Sequence, residues 1–166
     1  MRKLWMVFVL GSLLLTACGA GRVQIARERG SDVFNVTVEL NEDDIALLVE
    51  GALAASANPL LRDPEVDLLD GQIEVTGVHE RRDGGGDVNG RMVIVPSVQD
   101  GLLVVEVAEL SIDGVDVSDT RIEQFNNNLE QRIGNRLEQR NRQISVTGVT
   151  VTDDLLILAF DASRSN

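Results

Sequence analysis

Few side chains in this sequence are of a type that does chemistry, and their spacing narrows them further. Cys18 is the sole cysteine and His79 the sole histidine. A single thiol excludes an internal disulfide and a cysteine metal site. His79 follows Ile73, Val75 and Gly77 on one side of an alternating segment, and no serine or cysteine can be nominated as the nucleophile it would activate. It reads as a strand-end histidine held by a local hydrogen bond. Asp113, Asp116 and Asp119 recur every three residues but lack the alternating ligands and central glycine of a calcium loop, so they read as turn and cap acids. The Asp83-Gly-Gly-Gly-Asp87 tip is flanked by acids and followed by strand, the wrong setting for a phosphate-cradling loop. Neither G-x-S-x-G nor H-E-x-x-H occurs. The expectation is a non-enzymatic protein with no catalytic residues, no cofactor and no metal.

Two other features carry more. Arg132, Arg136 and Arg140 are four apart and line one flank of a helical segment. Planar bidentate donors so placed are headgroup candidates for a lipid phosphate. The competing reading pairs them with carboxylates and with the negative helix end. The second feature is Leu15-Thr16-Ala17-Cys18-Gly19, preceded by the basic Met1-Arg2-Lys3 and the apolar run Leu4 to Leu14. That run is built like a secretory signal and is too short to remain as a bilayer span, which needs roughly 20 residues. Leu15-Thr16-Ala17-Cys18 resembles the bacterial lipobox. The resemblance implies cleavage after residue 17 and lipidation of Cys18 with a diacylglyceryl group, which meets the need for more than one chain in a stable anchor. Residues 1–17 are then a lipoprotein signal peptide, 18–32 the lipidated cysteine and a flexible tether, and 33–166 one domain. The expected location is extracytoplasmic, lipid-anchored to a bacterial membrane.

Charge supports an anchor of this kind. Losing Arg2 and Lys3 with the signal leaves 13 basic against 27 acidic side chains, a net charge of −14. Such a surface repels nucleic acid and anionic headgroups at long range. Trp5 and Phe8 leave too, so Phe34, Phe125 and Phe160 are the remaining aromatics. Base- or sugar-stacking platforms are nearly excluded, and the core must be aliphatic.

The elements follow from periodicity. Val33 to Leu40 alternates as a half-buried strand. Asn41 caps a helix running to Ala57, whose stripe Ile45, Leu48, Val49, Ala52 and Leu53 faces a core. Leu47 and Ala54 lie opposite, which predicts cover on more than one side. Asn58-Pro59 ends the helix. Four strands then form an antiparallel meander: Glu65 to Leu69, Gln72 to Glu80, Val88 to Val98 and Leu102 to Ile112. Asp70-Gly71 is a two-residue hairpin signal, and Gln99-Asp100-Gly101 is another turn. Runs such as Met92-Val93-Ile94-Val95 and Leu102-Leu103-Val104-Val105 are apolar on both faces, as if both were covered. Ser118 or Asp119 caps a second helix to about Arg142, with Ile122, Phe125, Leu129, Ile133 and Leu137 as its stripe. Ile144 to Thr152 and Leu155 to Asp161 close the chain as a hairpin. The order is β-α-β-β-β-β-α-β-β.

That layout resembles the small extracytoplasmic domains of the TULIP type, particularly the LmeA-like (DUF2993) family. The residues that carry the resemblance are the Leu40-Asn41 to Leu53 helix, Leu69-Asp70-Gly71-Gln72-Ile73, Asp100-Gly101-Leu102 and Ile112-Asp113-Gly114-Val115-Asp116-Val117. With them go the helix Ile122 to Leu137 and the final strand pair. The resemblance implies an α+β fold with a curled antiparallel sheet wrapped around a long amphipathic helix, a second shorter helix, and an apolar groove for lipid.

On that reading the protein binds or transfers a phospholipid-like lipid. The groove candidates are Ile45, Leu48, Val49, Leu53, Met92, Ile94, Val105, Ile122, Phe125, Leu129, Ile133, Leu137 and Phe160. Shielding ten methylenes would contribute on the order of 8 kcal/mol before ordering costs. The alternative is an envelope scaffold whose apolar sheet face packs on a partner protein or a second copy, forming a homodimer.

Overall fold

Among the described residues, strand alternation and turn chemistry resolve into two four-stranded antiparallel sheets and two helices, an α+β fold. The computed structural model describes residues 21–27, 33–137 and 142–164. The strands are β1 (Arg22–Arg27), β2 (Val33–Leu40), β3 (Arg62–Leu69), β4 (Gln72–Glu80), β5 (Asp87–Gln99), β6 (Leu102–Ile112), β7 (Arg142–Val151) and β8 (Leu156–Arg164). Helix α1 spans Glu42–Ala54 and α2 spans Asp119–Leu137. One sheet has the order β1-β2-β8-β7 and the other is the meander β3-β4-β5-β6.

The hairpins close where turn residues demand it. Leu69 pairs with Gln72 across Asp70-Gly71, and Gln99 with Leu102 across Asp100-Gly101. Asp100 and Gly101 both have positive φ, the backbone that matches a two-residue turn to strand twist. These turns also join the sheets. The Gly71 amide donates to the Val151 carbonyl at 3.0 Å, and the Val146 amide to the Gly101 carbonyl at 2.8 Å. The outer edge of β7 is thereby tied to the hairpin ends of the meander.

Asn41 caps α1 reciprocally: its Oδ1 accepts from the Asp44 amide at 2.9 Å, and Asp44 Oδ2 accepts from the Asn41 amide at 3.3 Å. Helix α1 packs on β3, and α2 packs on α1 and β6. Between helices and sheets lies one continuous aliphatic cluster that includes Val49, Ile94, Leu129 and Leu158.

Four expectations change here. The wrapped single sheet is replaced by two sheets, neither strongly curled, and α2, at 19 residues, is the longer helix against 13 for α1. The stretch read as tether contains β1, because β2 offers it a complete antiparallel partner from Arg22↔Glu39 to Arg27↔Phe34. The far side of α1 is open, with Leu47 56 % exposed. Finally, the outer face of the meander is wet. Glu74 and Glu109 both stand opposite Val93, and Arg91 bridges them, Nε to Glu74 at 2.8 Å and Nη1 to Glu109 at 3.0 Å. The trio roofs Val93, which is 3 % exposed, with charged heads and apolar stems. Val93 is thus covered by the chain's own amphipathic side chains, whereas Leu102 at the start of β6 is left 66 % exposed.

Candidate functional site

The groove candidates are brought together, and sealed. Ile45, Leu48, Val49 and Leu53 of α1, Met92 and Ile94 of β5, Val105 of β6, Phe125, Leu129 and Ile133 of α2 and Phe160 of β8 are between 0 and 5 % exposed. All belong to the central cluster. Ile122 is half-buried outside it, and the Leu137 side chain lies outside the described residues. At the α1–α2 seam, beside Leu53, Leu60 and Phe125, a cavity of about 20 Å³ remains. That is room for one water, not for an acyl chain.

The arginine flank of α2 divides. Arg132 is exposed and lies across α1: a methyl group built on Gly51 would come within 2.5 Å of its Nη1. Among the described residues Arg132 makes no ion pair. The Arg136 side chain, Arg140 and Cys18 lie outside the described residues.

Arg121, in the first turn of α2, is instead drawn to the end of α1. Its Nη2 donates to the Asn58 carbonyl at 3.0 Å and to the Pro59 carbonyl at 3.3 Å. The Asn58 amide, turned as its neighbours require, accepts through Oδ1 from Arg82 Nε and Nη2 at 3.1 Å each and from Arg121 Nη2 at 3.3 Å. Two guanidinium groups thus meet at one neutral oxygen. Burial, and then the neighbouring Arg82, hold the Arg121 guanidinium below its ordinary pKa.

These groups line an open cleft of about 550 Å³ between the end of β4, the Gly114–Asp116 turn and the start of α2. Arg81 is neutralised there: its Nε and Nη2 fork onto Asp83 at 3.1 and 2.6 Å, which holds the Asp83 carboxyl below the usual carboxylate range. His79, 4 % exposed, donates from Nδ1 to the Leu60 carbonyl at 2.8 Å. A second cleft of about 590 Å³ lies on the wet face of the meander, around Thr76, Arg91 and Ser111. Sequence reasoning missed Asn58 and Arg82 as site residues. The adjacent Arg81-Arg82 pair was the available signal, but which arginine would find a carboxylate depends on the fold.

The described residues contain no group of three His, Cys, Asp or Glu side chains able to hold a metal, and no helix long and apolar enough to cross a membrane. No family model, curated protein or solved structure matches the chain, and nothing in these comparisons identifies a TULIP-type domain.

Proposed function

We propose that this chain is a non-enzymatic envelope lipoprotein, anchored outside the cytoplasm through acylated Cys18, that pairs with a second copy of itself along β1. The supporting observation is the treatment of sheet edges. At β3 the Leu68 amide donates to Glu42 Oε1 at 3.2 Å, and at β6 the Val105 amide donates to Glu130 Oε1 at 2.8 Å. The β7 edge meets the meander turns. Among the described residues nothing bonds to the outer edge of β1, where Val23 and Ile25 are 58 and 63 % exposed. Uncovered edges of this kind pair with other strands.

The sequence Arg22-Val-Gln-Ile-Ala-Arg27 suits a two-fold partner. An antiparallel register centred on Gln24 sets Val23 against Ile25 twice and keeps arginines from facing each other. Anchoring both copies in one membrane raises their effective concentration, which favours a small interface. The sealed core supports this reading over a lipid carrier, which would require α1 and α2 to lift from the sheets.

Disulfide trapping of the acylated full chain in lipid nanodiscs is the test. Gln24→Cys is expected to cross-link rapidly and Leu47→Cys is not, while Ile25→Lys abolishes the Gln24→Cys cross-link. Equal rates at positions 24 and 47 overturn the pairing. A monomer that carries a co-purified lipid in native mass spectrometry returns the carrier reading.

A further inference from the structure

No residue of β1 is among those that line the cationic cleft. In a mature chain with 27 carboxylates and 13 basic side chains, any arginine has acids available to it. Arg62 pairs with Glu80, Arg81 with Asp83, and Arg91 with Glu74 and Glu109. Among the described residues Arg82 and Arg121 pair with none, although they sit together around Asn58. Asp116 reaches the same cleft without an ion pair, and Asp83 is occupied by Arg81. With Arg81 and Asp83 cancelling and one carboxylate at Asp116, two guanidinium groups leave the cleft net positive on a strongly acidic protein. Neutral oxygens of Asn58 and Pro59 accept from them but no described carboxylate pairs with either, and the cleft is wide enough to admit an anion that would.

We infer that Arg82 and Arg121, held by Asn58, form a binding site for a phosphate group. Arg82 engages Asn58 through Nε and Nη2, and Arg121 engages it through Nη2. Each planar group, one at the end of β4 and one in the first turn of α2, thus keeps its Nη1 side to offer a tetrahedral dianion. A single planar carboxylate would occupy one fork and leave the other charge unmet. Asn58 sets the spacing of the pair: its Oδ1 keeps both guanidinium groups in place with the cleft empty, so less side-chain freedom is lost on binding. The phosphate can come from free phosphate or from a lipid headgroup, since both present the same oxygens.

Isothermal titration calorimetry on the full chain in neutral detergent distinguishes these sources, with inorganic phosphate in one arm and dihexanoyl phosphatidic acid, monomeric in solution, in the other. Saturable one-site binding is expected in at least one arm. Inorganic phosphate binding identifies a free-phosphate site, and binding of the lipid alone identifies a headgroup site. Arg82 is exposed, so Arg82→Gln leaves the fold intact and weakens binding about tenfold, as expected for loss of a charge-assisted pair of hydrogen bonds. Arg121→Lys keeps the charge, loses the fork and weakens binding as well. Arg91→Gln removes one charge elsewhere and leaves binding unchanged. Absence of saturable binding to both probes, or an equal loss with Arg91→Gln, overturns the site.

Discussion

Gly77 and Gly90 face each other across β4 and β5 on the core side, and together they make a notch. Leu61, 1 % exposed, fills it as the chain leaves α1. A Cβ on Gly77 would lie 2.7 Å from the Arg62 carbonyl oxygen and 3.3 Å from Leu61 Cβ. The first of these is backbone and cannot step aside. Gly77→Ala is therefore expected to destabilise the fold by about 1–3 kcal/mol, the usual cost of overpacking, read as a lower denaturant midpoint at unchanged slope. Surface alanine-to-glycine exchanges would not predict this, because the requirement is for space and not for an unusual φ. His79 belongs to the same corner. Its hydrogen bond to Leu60 fixes the segment that Leu61 needs; the partner lies 19 residues upstream, not locally as its place at a strand end suggested.

At the scale of elements, local signals were legible and distant ones were not. Asp70-Gly71 and Asp100-Gly101 turn the chain because Gly71, Asp100 and Gly101 accept positive φ, a property carried by the residues themselves. The stripes of α1 and α2 show in the spacing for the same reason. β1 does not show, because six residues with two apolar positions make a strand only once β2 is present beside them. The Arg82–Arg121 pair is equally silent, since Asn58 joins segments from three elements. The edge carboxylates are similar: Glu130 looks like a solvated helix residue, yet it accepts the Val105 amide. Glu130→Leu should leave that amide without an acceptor, cost about 1–3 kcal/mol and speed hydrogen exchange at Val105 well above its neighbours in β6. Retained protection at Val105 would mean that the edge is closed by something else.

In the whole molecule, two sheets that share no strand are bound into one body through the β7 edge and a common aliphatic cluster. On the proposed reading the acyl group on Cys18 would serve attachment alone, so anchoring and folding should separate cleanly. Cys18→Ser is expected to move the protein from the detergent phase to the aqueous phase on cloud-point separation, with an unchanged unfolding midpoint. A shifted midpoint would place the N-terminal segment in the fold itself.

The early start of β1 governs how far such a protein could travel. From Cys18 to Arg22 is four steps of chain, about 14 Å at full stretch. If Cys18 carries the proposed anchor, a body on so short a leash could not ferry anything across the space between two membranes, nor thread a cell wall to meet a distant target. Its encounters would be lateral, among neighbours drifting in the same leaflet. Crowding within that plane, more than the amount of protein in the compartment, would set how often two copies meet.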